Sequence, residues 1–145
     1  MECSSLIVPI SRQPKRSSML LYITLGTNDL YRAGQFYDAV LPLLGYRRQH
    51  YSEEEIGYSA ESDTRCRFWV VTPFNRRRAT SGNGAMVALA AETRASVDAF
   101  HAAAIAAGGV DEGGPGLRPY HAHFYAAYVR DLDGNKLSAV CENPE

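Results

Sequence analysis

The chain has 145 residues, of which 46% are hydrophobic and 21% charged, so one domain with a buried core is expected. A formal net charge of -1 argues against a broad nucleic-acid surface. No apolar run approaches the roughly 20 residues that a membrane helix needs. We therefore expect a globular protein whose partners include neither nucleic acid nor membrane.

The cysteines favour a reducing compartment. Cys3, Cys66 and Cys141 are odd in number, and no two of them have C-x-x-C spacing. This pattern predicts buried or incidental thiols in a cytoplasmic protein, in preference to a disulfide framework or a catalytic thiol.

The first 18 residues differ in composition from the rest of the chain. Their apolar patch, residues 6–10, is too short for a signal-peptide core, and residues 11–18 are basic and polar. We predict an N-terminal arm over residues 1–18 and a single domain over residues 19–145.

The domain begins with a strand and a helix. Residues 20–25 alternate between two faces, as in a strand. Thr27, Asn28 or Asp29 is expected to cap a helix, because their side-chain oxygens accept hydrogen bonds from the first free N–H groups. An apolar stripe at helical spacing then continues to Gly45, which suits a C-terminal cap.

Three short strands are predicted next, at residues 46–51, 56–60 and 66–72, with turn-forming residues between them. The last contains Phe-Trp-Val-Val, which is the strongest β signal in the chain. Residues 73–84 then read as a loop that includes three consecutive arginines.

A second strand and helix follow the loop. Residues 85–89 predict a strand, Thr93 an N-cap, and the Gly108-Gly109 pair the end of the helix. Residues 109–112 make a poor strand, and the glycine-rich residues 113–116 read as a loop.

Two final strands, residues 123–130 and 136–141, flank residues 132–135. The Asp-Gly dipeptide within this connection is a strong hairpin signal, because both residues adopt positive φ readily.

The chain therefore contains two copies of one unit. Three pairs of similar positions lie 64 residues apart: Tyr22 with Met86, Phe36 with Phe100, and Gly45 with Gly109. We predict an α+β fold of two βαβββ modules that form a cupped mixed β-sheet with the helices on its convex face. Module one covers residues 19–74, the connector residues 75–83, and module two residues 84–142.

The chain resembles the vicinal oxygen chelate superfamily, which includes glyoxalase I, bleomycin-resistance proteins, fosfomycin-modifying enzymes and extradiol dioxygenases. Residues 19–46 resemble the family's first βαβ segment. Residues 128–141, YVRDLDGNKLSAVC, resemble its final hairpin, with Leu132 where proline is common. The resemblance covers nearly the whole domain.

The family holds a divalent metal with His, Gln or Glu from the first strand of each repeat and a carboxylate from the last. The resemblance places Tyr22, Met86 and Ser138 at three of these positions, and residues 66–72 contain no carboxylate. Such side chains cannot jointly hold a hard divalent ion. We expect the fold without a cofactor, with a divalent metal as the lesser alternative.

Strand alternation indicates which residues line the cup. The candidates for ligand binding are Tyr22, Thr24, Trp69, Met86, Ala88, Tyr125 and Ser138. In the alternative interpretation, Tyr22 and Met86 simply fill the cavity with bulk.

Two polar clusters are further candidates. Alternation places His121, His123 and Tyr125 on one face of an incoming strand, where they could supply acid–base catalysis or bind a metal; the alternative is a pair of surface histidines. Arg76, Arg77 and Arg78 are either a solvated loop or an anion clamp over the cup.

Three functions remain open. The leading one is a small-molecule binder that lacks the family's metal. The second is a lyase or dioxygenase-like enzyme whose relocated site uses His121 or His123, and the third is a non-catalytic interaction subunit. Family analogy and open strand edges favour a homodimer in each case.

Overall fold

The computed structural model describes residues 19–145, so the predicted arm lies outside the described residues. Module one contains β1 (Ile23–Gly26), α1 (Leu30–Val40), a 3₁₀ turn (Leu41–Leu44), β2 (Arg47–Tyr51), β3 (Glu55–Ser59) and β4 (Phe68–Val71). Module two contains β5 (Val87–Ala90), α2 (Arg94–Ala106), β6 (Val110–Leu117), β7 (Tyr125–Arg130) and β8 (Lys136–Cys141).

Each helix begins at a side-chain cap and is followed by a left-handed glycine. The Asp29 carboxylate accepts a hydrogen bond from the backbone N–H of Arg32 at 3.0 Å, and the Thr93 hydroxyl caps α2 in the same way. Gly45 (φ 86°) ends the 3₁₀ turn after α1, and Gly108 (φ 98°) follows α2. The predicted caps are therefore confirmed, although the α-helix of module one ends at Val40 and the turn before Gly45 is 3₁₀.

Each module forms its own four-stranded mixed sheet. Sheet A has the strand order β1-β4-β3-β2, and sheet B has the equivalent order β5-β8-β7-β6. In both sheets the first strand runs parallel to the last, and the other neighbours are antiparallel. The predicted α+β fold of two βαβββ modules is confirmed.

The helices cover one face of each sheet and meet between the modules. Phe36 and Tyr37 from α1 and Val97 and Phe100 from α2 are at most 1% exposed, and they belong to a single apolar core. Hydrophobic burial therefore holds the modules together along the helices, and the opposite face of each sheet is left open.

A polar joint also links the modules, at the turn between β7 and β8. The buried Tyr37 hydroxyl donates a hydrogen bond to the Asp131 carboxylate in this turn. The Asn135 side-chain amide donates to the carbonyl oxygen of Gly26 at 3.0 Å. Burial, followed by the charge and hydrogen bond of Asp131, raises the pKa of Tyr37 well above its usual value, so this phenol stays protonated.

The loop prediction for residues 113–116 is wrong, because they lie within β6, which pairs with β7 through two irregularities in register. A Cβ atom at Gly113 would lie 3.1 Å from Cδ2 of Tyr128, and Gly113 has a φ of 149°. The glycines therefore allow close approach and bending within a strand, where the composition alone suggested a break.

The remaining structural expectations concern thiols and membranes. Cys66 and Cys141 are free thiols, and burial raises the pKa of Cys66. Over residues 19–145, neither helix has the length and apolarity that a membrane crossing requires.

Candidate ligand-binding site

The open face of sheet B carries a row of residues that crosses all four strands. Strand pairing aligns Ala88 of β5 with Ser138 of β8, Ser138 with Tyr128 of β7, and Tyr128 with Gly113 of β6. Because side chains alternate along each strand, the residues of this row point away from α2. The row forms the centre of a concavity.

This concavity has a volume of about 650 Å³, within the usual range for sites that bind small molecules. Met86, Ala88 and Val140 give it an apolar floor. Tyr120 and Phe124 form an aromatic wall, with their rings edge to face and their centroids 4.9 Å apart. The surface therefore suits a ligand with an apolar or aromatic body.

Ser138 is fully buried, yet its hydroxyl has no hydrogen-bond partner among residues 19–145. A buried hydroxyl without a partner costs about 1–3 kcal/mol, so native proteins rarely keep one. Ser138 belongs to the floor of the concavity, but less than 1 Å² of its hydroxyl oxygen is accessible to solvent.

Two cationic side chains lie near the Tyr128 ring. The guanidinium carbon of Arg118 lies 5.4 Å from the ring centroid, and the Lys136 ammonium lies 5.7 Å from it. Neither cation forms an ion pair with a carboxylate in the described part of the chain. The Arg118 guanidinium instead donates hydrogen bonds to the carbonyl oxygens of Gly114 and Leu117.

The acidic side chain in the lining is already compensated. Glu112 accepts a hydrogen bond from Nε of Arg130 at 2.6 Å, within an ion pair. Arg118 and Lys136 therefore leave the concavity with a net positive charge.

Sheet A carries the equivalent row, but its side chains are different. Strand pairing aligns Thr24 with Trp69, Trp69 with Gly57, and Gly57 with His50. The indole of Trp69 takes the place that Ser138 has in sheet B, and the His50 ring lies 5.3 Å from it. The bulk of Trp69 leaves a smaller concavity there, of about 390 Å³.

The chain resembles a solved protein over most of its length. A glyoxalase/bleomycin resistance protein from Albidiferax ferrireducens T118 is 40% identical, with a TM-score of 0.77, over 88% of this chain and 100% of that chain. The chain belongs to the glyoxalase/bleomycin resistance protein family.

Other solved members share the fold at lower identity. A glyoxalase-related enzyme from Fulvimarina pelagi is 20% identical with a TM-score of 0.66, over 86% of this chain and 88% of that chain. A fosfomycin resistance protein from Listeria monocytogenes is 16% identical with a TM-score of 0.62, over 87% and 94%. No family model and no curated protein matches the chain.

The metal-ligand positions of this glyoxalase/bleomycin resistance protein do not suit the superfamily's divalent ion. Comparing the two rows places Trp69 at the fourth metal-ligand position. The other three positions hold Tyr22, Met86 and Ser138. An indole and a thioether are not ligands for a hard divalent ion, and one neutral phenol and one hydroxyl do not form a sufficient set. Residues 19–145 also contain no group of three His, Cys, Asp or Glu side chains placed to hold a metal.

The structure divides the predicted cup-lining residues between the two sheets. Met86, Ala88 and Ser138 line the concavity of sheet B, whereas Tyr22, Thr24 and Trp69 line that of sheet A. Tyr22 and Ala88 also line a smaller cavity of about 290 Å³ between the modules, so the division between the two open faces is not complete.

The prediction that Tyr125 lines the cup is wrong. Its hydroxyl donates a hydrogen bond to the Asp98 carboxylate of α2 at 2.6 Å, so the side chain lies on the helix side of sheet B. Tyr128, three residues later, is the tyrosine on the open face.

The predicted strand around His121 and His123 is also wrong. These residues lie in turns, because β7 begins only at Tyr125. His121 contacts the Glu142 carboxylate through Nε2 at 2.7 Å, and its Nδ1 accepts a hydrogen bond from the backbone N–H of His123. Neither histidine is among the residues that line the sheet B concavity.

The arginine run lies in the exposed connector. Arg76 has a positive φ of 62° and forms an ion pair with Glu54 at 2.6 Å. Arg76, Arg77 and Arg78 are not among the residues that line the sheet B concavity. The cations that do line it are Arg118 and Lys136.

Tyr128, Arg118 and Lys136 are not among the residues that the sequence predicted for the site. A signal for two of them was present, since counting outward from the Asp-Gly turn pairs Tyr128 with Ser138 and Arg130 with Lys136. No comparable signal existed for Arg118, because the strand that positions it resembled a loop.

Proposed function

We propose that this family member binds a small organic ligand on the open face of sheet B, through its own side chains and without the family's metal. The observation that carries the proposal is the open concavity of about 650 Å³, whose lining combines an apolar floor and an aromatic wall with two cations, Arg118 and Lys136. A ligand with an apolar body and a polar group gains both apolar burial and polar contacts in such a site.

The distribution of side chains supports binding in sheet B over binding in sheet A. Both sheets have an open face. In sheet A the large Trp69 side chain occupies the centre of that face, whereas in sheet B the small Ser138 side chain leaves the centre open. Apolar and aromatic walls with a few convergent polar groups are the usual composition of a small-molecule site.

A relocated catalytic site at His121 or His123 has no comparable support. The two ring nitrogens of His121 are occupied by Glu142 and by the His123 backbone, at the protein surface.

A homodimer is part of the proposal. Within residues 19–145, β1 and β2 are the edge strands of one sheet and β5 and β6 those of the other, and a second copy can pair with such an edge. Analytical ultracentrifugation at micromolar concentration is expected to show a two-chain species, and a monomer across that range would contradict this part.

The proposal is tested by a thermal-shift screen of small organic compounds against two matched variants. Ala88→Trp fills the concavity of sheet B, and Thr24→Trp adds the same bulk at the repeat-equivalent position of sheet A. A ligand at about 100 times its Kd stabilises the protein by roughly 2.7 kcal/mol, which corresponds to about 5–11 °C.

We expect compounds that shift the melting temperature of the unmodified protein to shift Thr24→Trp equally and Ala88→Trp hardly at all. The opposite pattern would move the site to sheet A. An equal response of both variants would contradict binding at either open face.

A further inference from the structure

We propose that the ligand of sheet B is an organic anion with an aromatic or apolar body, and that Arg118 and Lys136 supply the positive charge that attracts its negative group. This inference rests on the proposed function, because it concerns the chemistry of the same concavity.

The concavity carries positive charge that no carboxylate compensates. Arg118 and Lys136 are half-buried, and neither forms an ion pair within residues 19–145. Charges that are partly removed from water normally have a compensating partner. The one acidic residue of the lining, Glu112, is already paired with Arg130, so it does not neutralise them.

Backbone contacts fix the position of the Arg118 guanidinium. Arg118 is held over β6 by hydrogen bonds to the carbonyl oxygens of Gly114 at 2.6 Å and Leu117 at 3.3 Å. A Cβ atom at Gly116 would lie 3.0 Å from its Nη1, so glycine makes room for the guanidinium. These carbonyl contacts fix the group without cancelling its charge, and its other N–H groups stay available to a carboxylate, sulfonate or phosphate.

The two cations lie near the same aromatic ring of the concavity. Both are within 6 Å of the Tyr128 centroid, and Tyr128 lies at the centre of the open face. An anionic group bound in the concavity is attracted by both cations. A cationic ligand would instead meet two like charges, at a cost in affinity.

The remainder of the concavity selects the body of the ligand. Tyr120 and Phe124 offer ring faces and edges, and Met86 and Val140 offer apolar surface. Aromatic and apolar contacts of this kind favour a planar or apolar group attached to the anion.

The test compares two fluorescent probes that differ by one charged group. 8-Anilinonaphthalene-1-sulfonate carries a sulfonate, and N-phenyl-1-naphthylamine has the same aromatic rings without it. We titrate both into the full-length protein and into Arg118→Gln, Lys136→Met, Ala88→Trp and Arg32→Gln. Arg32→Gln is the control, since this exposed arginine of α1 gives the same loss of one charge outside the site.

The sulfonate probe is expected to bind at least tenfold more tightly than the neutral probe. Arg118→Gln and Lys136→Met are each expected to weaken it about tenfold, a loss of about 1.4 kcal/mol, while neutral-probe affinity changes less than twofold. Arg32→Gln is expected to change neither affinity, and Ala88→Trp to reduce both. Lys136→Met provides an independent readout if Arg118→Gln does not fold.

Two other outcomes distinguish a wrong ligand charge from a wrong binding site. If both probes bound equally, and only Ala88→Trp abolished their binding, the ligand would not need a negative charge. The site on sheet B would still stand. Probe affinities that Ala88→Trp does not change would overturn the site itself.

Discussion

Replacing Tyr37 by phenylalanine removes one hydroxyl from the joint between the modules and leaves the ring in place. The side chain is completely buried, and its ring lies 5.1 Å from those of Phe36 and Phe68. Because phenylalanine keeps these contacts, the change in stability reports the hydrogen bond to Asp131.

The magnitude follows from the partners that Asp131 keeps. Its carboxylate still accepts hydrogen bonds from the backbone N–H groups of Asp133 and Asn135 and from the Asn135 amide. The charge is therefore not orphaned, and the loss is that of one hydrogen bond to a charged group, about 2 kcal/mol. For a chain of this size that loss corresponds to about 4–8 °C in Tm.

Urea denaturation followed by circular dichroism measures the free energy of unfolding, and an unchanged m value would show that both states stay comparable. Tyr31→Phe is the matched control, because that side chain is 73% exposed, and its loss should stay below about 0.5 kcal/mol. Combining Tyr37→Phe with Asp131→Asn should cost less than the sum of the two. If Tyr37→Phe behaved like Tyr31→Phe, the joint would not hold the modules together as described.

Three further predictions concern particular side chains. Ser138→Ala should raise the free energy of unfolding by about 1 kcal/mol, because it removes an unpartnered buried hydroxyl; clear destabilisation in a urea titration would contradict this. Stability should fall above about pH 10, because the unfolded chain then loses protons that burial keeps on Tyr37 and Tyr58; each contributes about 1.4 kcal/mol per pH unit, so the slope should be shallower by that amount in Tyr37→Phe. Gly57→Ala should cost about 1–3 kcal/mol, since its Cβ would lie 2.6 Å from Sγ of Cys66, whereas Gly114→Ala meets no atom within 4 Å and should cost less in the same assay.

The fold could be predicted because its signals are local and occur twice. The caps at Asp29 and Thr93, the glycines after each helix and the Asp-Gly turn all act over a few residues. The 64-residue offset then required the same topology for both halves. These signals do not depend on contacts between distant parts of the chain.

The site was less predictable because it depends on register and on close approach between strands. Tyr125 and Tyr128 have the same side chain, and only the point at which β7 begins decides which of them faces α2. The glycines of β6 suggested a loop, although they are needed where Tyr128 and Arg118 lie against the backbone. Such contacts become visible only once the strands are aligned.

If the open face of sheet B binds an organic ligand through protein side chains alone, binding does not depend on a metal. This is tested by the affinity for 8-anilinonaphthalene-1-sulfonate before and after dialysis against EDTA, with the metal content measured in each sample. We expect the same Kd in the chelated protein, and no change on adding Zn²⁺, Fe²⁺, Mn²⁺ or Ni²⁺. Binding that disappears on chelation and returns with one of these metals would contradict it.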